Sequence, residues 1–406
     1  MRKSLSQLQL VFCVLSVFAI SSCLFPTGVT TTSFWLATIL ALILYCSDRQ
    51  RKAVHDSEPL AIFIGYALIS YLALVSLATG ADIKALVIST FEYRILFLIP
   101  LIGILFYGTD QNRCLCLVAF FLGAFTALVA SYLIYFDILN FEDGRRSLAN
   151  RIFHGFLMMS LFVFVAGLKL NKQYAGFLLS FFLVVIAYNV LAVETGRTAY
   201  ICLGFVGFYY LTYRFKTWKS RALGSMLGIF LVTLIGIIEP VLVSTVSSSA
   251  VNIFGAIMEN SYSNSAGLRA EYYRGGFHLW AESPIYGLGL ANISQALDRM
   301  YNVGLIRVFT DNLHSEYLTM LVGGGALGLI LHFLFLAFLW RAFRMQPLVE
   351  INRGISLDVQ FVGQGIVLVI AIFSLFNSTF KDFGEKQLLL FMLPLLLQLT
   401  KKKDRQ

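Results

Sequence analysis

The chain has 406 residues, of which 58% are hydrophobic and only 13% are charged. Soluble proteins carry about 25% charged residues, so this composition excludes an ordinary soluble enzyme and indicates a polytopic membrane protein. The net charge of +9 is explained by basic loops between membrane spans, and we do not interpret it as a nucleic-acid-binding surface.

Apolar runs long enough to cross a bilayer recur along the chain, since a spanning helix needs about 20 largely apolar residues. The first run follows Arg2 and Lys3 and also resembles a secretion signal ending at Cys23, but its length favours a spanning helix. The sequence predicts twelve spans, at about residues 8–25, 29–46, 59–79, 88–107, 114–136, 152–168, 174–193, 199–213, 224–246, 313–340, 359–379 and 387–399.

Lysine and arginine are concentrated in every second loop, starting with the N-terminus. The positive-inside rule therefore predicts that both termini are cytoplasmic. The predicted fold class is an all-α polytopic membrane protein with one large helical loop on the outer side. Its parts are nine spans in residues 1–246, the loop with amphipathic helices at 247–312, and three spans with a basic cytoplasmic tail at 313–406. All six cysteines lie in or beside apolar runs, which favours buried thiols.

The long loop has a helical pattern of its own at residues 265–281. One face of this helix carries Arg269, Tyr273, Gly276 and Trp280. We expect that face to lie against the membrane interface, where aromatic residues are common. Proline and glycine in residues 282–289 then predict a tight turn.

An arginine occupies the very short outer turn at residues 194–198. The guanidinium of Arg197 offers a planar set of donors that matches phosphate oxygens. The alternative is that Arg197 anchors the helix ends to lipid headgroups.

Two further arginines lie on the loop helix. Arg269 has no obvious neutralising neighbour in the sequence and is a candidate phosphate ligand. Arg274 is a weaker candidate, because Glu271 and His278 are placed to pair with it on the helix surface.

His314 lies where the long loop re-enters the membrane. Imidazole takes up a proton near neutral pH, so His314 is a candidate general base. The alternative is a structural role. Asp311 and Glu316 are near enough in sequence to orient it, although Glu316 would not share its helix face.

A fourth basic group follows the fifth span and contains Arg145, Arg146 and Arg151. It is a candidate cradle for a second anion such as a lipid phosphate, and a solvated charged loop is the alternative. The sequence has no Asp-x-Asp pair in a loop, no Walker sequence and no histidine cluster with metal-ligand spacing. It therefore predicts no metal and no cofactor, and a chemistry that depends on arginines.

The order of these residues resembles that of the O-antigen ligase and O-antigen polymerase superfamily, which includes bacterial protein O-oligosaccharyltransferases. In that family an Arg, a Trp, a Pro-x-x-Gly-x-Gly turn and a His before a glycine-punctuated helix recur in this order. The matching residues are Arg269, Trp280, Pro284, Gly287, Gly289, 314–318 and 325–328, with 195–198 as the upstream arginine turn. Ser315 stands where the family often has Asn, which leaves open the neighbour that orients His314.

The resemblance implies a GT-C-like glycosyltransferase in the inner membrane of a Gram-negative bacterium, with its site facing the periplasm. A single large loop and no soluble C-terminal extension fit a ligase best. Such an enzyme transfers O-antigen polysaccharide from undecaprenyl pyrophosphate to the lipid A core oligosaccharide, with inversion and without a metal. Its partners are these two lipid-linked glycans and membrane lipids, not nucleic acid.

The resemblance also implies roles for individual residues. His314 is the expected base, and Arg197 and Arg269 are the expected pyrophosphate ligands. Arg274 stays the weaker candidate for the same ligand. Arg145, Arg146 and Arg151 stay candidate contacts for an acceptor or lipid phosphate. A polymerase, a protein O-oligosaccharyltransferase and a transporter of lipid-linked glycans remain alternatives.

Overall fold

The computed structural model describes most of the chain after residue 58. The described residues are 59–103, 110–139, 150–171, 175–193, 196–238, 265–344, 348–352 and 354–399, with isolated positions between 11 and 39, between 244 and 248, and at 106 and 346. The first two predicted spans lie largely outside these residues, and the two termini lie wholly outside them.

The described chain is helical apart from short connections and one small sheet. In the first half the helices are α1 (Pro59–Ala78), α2 (Ile83–Glu92), α3 (Ile95–Gly103), α4 (Asp110–Tyr135), α5 (Arg151–Gly167), α6 (Ala175–Tyr188), α7 (Arg197–Arg214) and α8 (Trp218–Ile238). In the second half they are α9 (Ser265–Glu282), α10 (Ile293–Asn302), α11 (Glu316–Ala342), α12 (Val359–Phe376) and α13 (Phe383–Leu399).

Within the described residues, five helical segments are long and apolar enough to cross a membrane. They belong to α1, α4, α6 with the turn that follows it, α11 and α12. The bent pair α2–α3 makes a sixth if it is counted as one span. The prediction of a helical membrane protein is confirmed, and the total of twelve spans stays a prediction.

The predicted span at 88–107 is not one straight helix, because α2 and α3 meet at an angle of 53°. Tyr93 and Arg94 form the break, and both are buried. The Arg94 Nη1 atom donates to the Phe91 carbonyl at 3.1 Å. The guanidinium thus binds a carbonyl group of α2 next to the interruption of the helix.

A turn of π-helix at Asn189–Val193 continues α6 and ends four residues before Arg197, the first residue of α7. The Nδ2 atom of buried Asn189 donates to Ser131 Oγ at 2.6 Å. Its Oδ1 atom lies 3.1 Å from His154 Nε2. These bonds join α4, α5 and the end of α6, so they fix the backbone shortly before Arg197.

A three-stranded antiparallel sheet, which the sequence did not predict, lies at one end of the bundle. Its strands are β1 (Leu168–Leu170), β2 (Leu348–Asn352) and β3 (Ile355–Asp358), with β3 in the middle. Lys169 Nζ lies 3.1 Å from Asp358 Oδ2, between β1 and β3. The pairing of β1 with β3 places the segments after α5 and after α11 at the same end of the bundle.

The turn at residues 284–289 docks on a break in α11, where Gly325 has a φ of 63° and a ψ of −162°. Leu288 and Gly289 donate backbone N–H groups to Val322 and Gly323, each at 2.8 Å. Pro284 accepts one from Ala326 at 2.9 Å. The turn therefore provides hydrogen-bond partners for backbone groups of α11 that have none within the broken helix. The predicted tight turn is confirmed.

The face of the loop helix α9 that carries Tyr273, Gly276 and Trp280 makes contacts with protein. A Cβ atom on Gly276 would meet the Leu318 side chain of α11 at 2.6 Å. Tyr273 donates its hydroxyl to the Leu375 carbonyl at 2.8 Å, and Trp280 donates to the Pro284 carbonyl at 3.0 Å. These side chains thus have partners on α11, α12 and the following turn, and the interfacial placement of this face stays a prediction.

Candidate active site

A cavity of about 470 Å³ lies where α5 and α7 begin, and Arg151, Arg197 and Arg269 line it. Because α5 runs from Arg151 to the sheet, the cavity and the sheet lie at opposite ends of that helix. Phe373, near the end of α12, also lines the cavity. Four separate parts of the chain thus meet at this end of the bundle.

The first turns of two helices face this cavity. The Asn150 side chain caps α5 by accepting from the Ile152 backbone N–H at 3.0 Å. Gly196 occupies the N-cap position of α7 and provides no side-chain cap. The first N–H groups of a helix have no intrahelical acceptor, and the helix dipole adds partial positive charge there. The cavity is therefore suited to an anion even before its arginines are counted.

Arg197 and Arg269 line the same cavity although they are far apart in the sequence. Burial lowers the pKa of Arg269, Tyr273 opposes this effect, and the positive charge of Arg197 lowers the pKa further. Neither guanidinium pairs with a carboxylate among the described residues. Like charges held together in a partly desolvated site are costly, and a bound anion relieves that cost.

His314 lies beside this arginine cavity, although it is not among the described residues that line it. Its imidazole stacks on the ring of Tyr272, with ring centroids 5.3 Å apart and planes at 25°. Tyr272 and Arg269 are three residues apart on α9, so they share one side of that helix. The loop helix therefore carries both a cavity arginine and the ring that supports the histidine.

The backbone of His314 has a φ of 50°, in the left-handed region. Its N–H group donates to Asn312 Oδ1 at 3.0 Å, and the same oxygen accepts from Ser378 Oγ at 2.7 Å. A left-handed conformation is uncommon for a residue other than glycine and requires such support. Asn312 thus holds the backbone of His314 in this conformation, and the imidazole itself is contacted by Tyr272.

Several charges act on the imidazole. Burial lowers the pKa of His314, and the positive charge of Arg269 lowers it further. Asp311 raises it, and Lys381 lowers it. The net shift is downward, so the imidazole is neutral at pH 7 and able to accept a proton.

Glu316 does not orient His314. It is fully buried, and its Oε2 atom accepts the Phe380 backbone N–H at 3.0 Å. The carboxylate thus links the start of α11 to the segment between α12 and α13. Of the two predicted acidic neighbours, Asp311 alone acts on the charge of the imidazole.

The other predicted arginines have different positions. Arg274 Nη1 lies 3.9 Å from Glu271 Oε2, and its Nη2 atom donates to the Leu305 carbonyl at 2.8 Å. Arg274 therefore pairs locally with Glu271, as the alternative interpretation from the sequence expected. Arg274 does not line the arginine cavity. Arg145 and Arg146 lie outside the described residues.

Sequence reasoning missed three features of this site. Arg151 was assigned to a separate anion site, but it shares a cavity with Arg197 and Arg269. Asn312 and Tyr272 were not singled out. Tyr272 had a usable signal, because it lies one helical turn after Arg269 on the predicted helix.

The fold and this cavity define a helical membrane protein that brings together several guanidinium groups beside a neutral histidine. Residues 181–333 match the family model described as O-Antigen ligase. The match contains Arg197, Arg269 and His314 and confirms the resemblance to the O-antigen ligase superfamily. No curated protein matches the chain. The family supports glycosyl transfer of the O-antigen ligase or polymerase type.

Proposed function

We propose that the protein transfers O-antigen polysaccharide from undecaprenyl pyrophosphate to the lipid A core oligosaccharide at the periplasmic face of the inner membrane. The observation that carries this proposal is the arginine cavity beside His314. The family match supports ligase- or polymerase-type chemistry. The cavity supplies a site for the diphosphate of a lipid-linked donor.

The leaving group of this reaction is a lipid diphosphate, which gains negative charge as the glycosidic bond breaks. Arg197 and Arg269 bind its oxygens, because neither has a carboxylate partner among the described residues. Arg151 completes the set from the start of α5. Fixed donors of this kind stabilise developing charge without the reorganisation that water would need.

The proton balance assigns the base role to His314. The oxygen of the acceptor hydroxyl forms a bond to the anomeric carbon, and the bond from that carbon to the diphosphate breaks. Its electron pair leaves with the diphosphate, and the hydroxyl proton goes to the neutral imidazole. Direct displacement without a covalent intermediate inverts the anomeric centre. The proposal includes no metal.

The decisive experiment is transfer by the purified protein in liposomes that contain lipid-linked O-antigen and core lipid A, with a chelator present. We expect product of inverted configuration from the wild type. His314→Ala should insert normally and lose about 100- to 10,000-fold in rate, as expected for loss of a general base. His278→Ala is the matched control, because His278 is exposed on α9. Near-normal turnover by His314→Ala would show that His314 is not the general base.

An O-antigen polymerase or a protein O-oligosaccharyltransferase would use the same donor, so the acceptor separates these alternatives. In a deletion strain, loss of a ligase leaves full-length polymer on the carrier, whereas loss of a polymerase leaves single repeat units on the core. A transporter of lipid-linked glycans would move the donor across liposomes without forming a glycosidic bond. That result would overturn the proposal as a whole.

A further inference from the structure

A second cavity, of about 260 Å³, adjoins the segment that leads to His314. Asp311, Asn312 and Leu313 line it directly before the histidine in the sequence. Its other walls come from α2, the start of α10, Thr319 on α11 and Lys381. Asp311 and Ser294 are exposed, so this second cavity opens at the surface.

The polar groups of the second cavity differ from those of the arginine cavity. Its charged groups are the carboxylates of Glu92 and Asp311 and the amine of Lys381. Lys381 Nζ lies 3.5 Å from Glu92 Oε2. Among the described residues Asp311 has no ion-pair partner. The second cavity therefore carries more negative than positive charge.

Groups that can bind hydroxyls also remain available there. Ser294 and Asn312 line the second cavity with a hydroxyl and an amide group. The amide oxygen of Asn312 is engaged by His314 and Ser378, and its amide nitrogen carries two further donors.

We propose that the second cavity binds the uncharged terminal sugar of the acceptor glycan and presents its hydroxyl to His314. This inference rests on the proposed function and names the acceptor subsite of the same reaction. A sugar has hydroxyls that both donate and accept. Carboxylate, amide and hydroxyl groups together can satisfy these hydroxyls.

Charge distinguishes the two cavities and assigns their ligands. A diphosphate is favoured next to Arg151, Arg197 and Arg269 and is disfavoured next to Glu92 and Asp311. An uncharged sugar avoids that repulsion in the second cavity. The acceptor and the donor therefore occupy separate sites, as a direct displacement requires.

The position of His314 fits this division. The imidazole is electrostatically coupled to Arg269 of the arginine cavity, and to Asp311 and Lys381 of the second cavity. A base for an acceptor hydroxyl must lie between the acceptor and the donor, within hydrogen-bond reach of the hydroxyl. The proton then passes from the sugar to His314 as the new bond forms to the anomeric carbon.

The test measures the binding of two probes to the full-length protein in nanodiscs. The first probe is a fluorescently labelled core oligosaccharide, freed of lipid and phosphate, and the second is undecaprenyl pyrophosphate. Ser294→Phe places a large ring at the mouth of the second cavity. Gln295→Phe is the matched control, because Gln295 is the exposed neighbour of Ser294 on α10 and does not line the second cavity.

We expect Ser294→Phe to weaken glycan binding by about 10-fold or more, equivalent to one lost contact of about 1.4 kcal/mol, and to leave undecaprenyl pyrophosphate binding unchanged. Gln295→Phe should bind both probes normally. Arg197→Ala should lose the pyrophosphate probe and keep the glycan. Asp311→Asn tests the same subsite without added bulk and should also weaken the glycan alone.

Unchanged glycan binding in both Ser294→Phe and Asp311→Asn would overturn the subsite. Loss of the glycan in Arg197→Ala would place both ligands in one cavity and would also overturn it. The second cavity could instead bind a labelled repeat-unit oligosaccharide and not the core oligosaccharide. That result would support the subsite and identify the acceptor as that of a polymerase. If both probes bind as expected but the protein transfers no glycan in liposomes, the proposed function is wrong and the glycan subsite is still supported.

Discussion

Beyond the larger effect of burial, the positive charge of Arg269 lowers the pKa of His314. One residue lies on the loop helix α9 and the other directly before α11, and Tyr272 connects them by stacking on the imidazole. The proposed phosphate ligand and the proposed base are thus electrostatically coupled in the protein without substrate. This coupling links the pH dependence of the protein to its arginines.

The first prediction concerns that pH dependence. In the proposed mechanism the neutral imidazole is the base, so activity should rise with pH through the lowered pKa of His314 and level off below neutrality. Arg269→Gln removes a charge that lowers the pKa, so the pKa should rise and the acid limb should move to higher pH. Asp311→Asn removes a charge that raises it, so that limb should move to lower pH.

Two measurements check these shifts: the pH profile of transfer, and NMR titration of protein with labelled histidine. The NMR titration does not depend on activity, which matters for Arg269→Gln. Arg274→Gln is the control, because Arg274 pairs with Glu271 and does not act on His314. Shifts of equal sign in Arg269→Gln and Asp311→Asn would contradict the electrostatic account.

The second prediction concerns the three arginines of the cavity. Alanine at Arg151, Arg197 or Arg269 should each lower the rate about 100- to 1000-fold, the cost of losing one fixed donor to a developing anion. Lysine should restore part of the rate, because it returns the charge without the planar fork. Transfer rates at saturating acceptor measure these effects, and Arg274→Ala should stay near the wild type.

Arg151 is the informative member of this set, since the sequence assigned it to a different anion. A rate for Arg151→Ala near the wild type would show that the diphosphate contacts only the other two arginines. A loss equal to that of Arg197→Ala would place all three on the same ligand.

The third prediction concerns Gly325, at the break in α11. A Cβ atom there would lie 2.2 Å from the Ile285 carbonyl oxygen, and the residue has a positive φ. Gly325→Ala should therefore destabilise the protein by about 3 kcal/mol or more, because neither the backbone nor the docked turn has room to move. Thermal unfolding in detergent measures this as a lower midpoint.

Gly207→Ala is the matched control for Gly325→Ala. Gly207 lies inside α7, and a Cβ atom there would meet nothing within 4 Å. Alanine favours the helix by about 1 kcal/mol at such a position, so the midpoint should stay or rise. An equal loss in both variants would mean that the crossing of the turn and α11 does not limit stability.

The sequence predicted the parts of the fold that periodicity and length determine. The helices α1, α5 and α11 begin and end close to the predicted limits, and Ser265–Glu282 is helical as expected. The break at Tyr93 and Arg94 was missed, because an apolar run does not reveal a bend. The small sheet was missed too, since its strands are only three to five residues long.

The candidate site was predictable in its residue types and not in its contacts. Arg197, Arg269 and His314 were selected by chemistry and by order in the chain. Arg151 lines the same cavity because of the way α5 and α7 pack together. A local sequence pattern does not reveal this packing. The role of Asn312 depends on the left-handed backbone of His314, which is a consequence of tertiary contacts with Ser378.

The last prediction concerns Tyr272, which is 8% exposed and stacks on His314. Tyr272→Phe keeps the ring and should keep the rate near the wild type. Tyr272→Ala leaves the imidazole free to turn, and a base misplaced by about 1 Å costs about 100-fold. Donor KM should stay unchanged in both variants, because the arginines bind the diphosphate. A rise in donor KM, with the rate at saturation preserved, would instead make Tyr272 part of the donor site and leave His314 positioned by Asn312 alone.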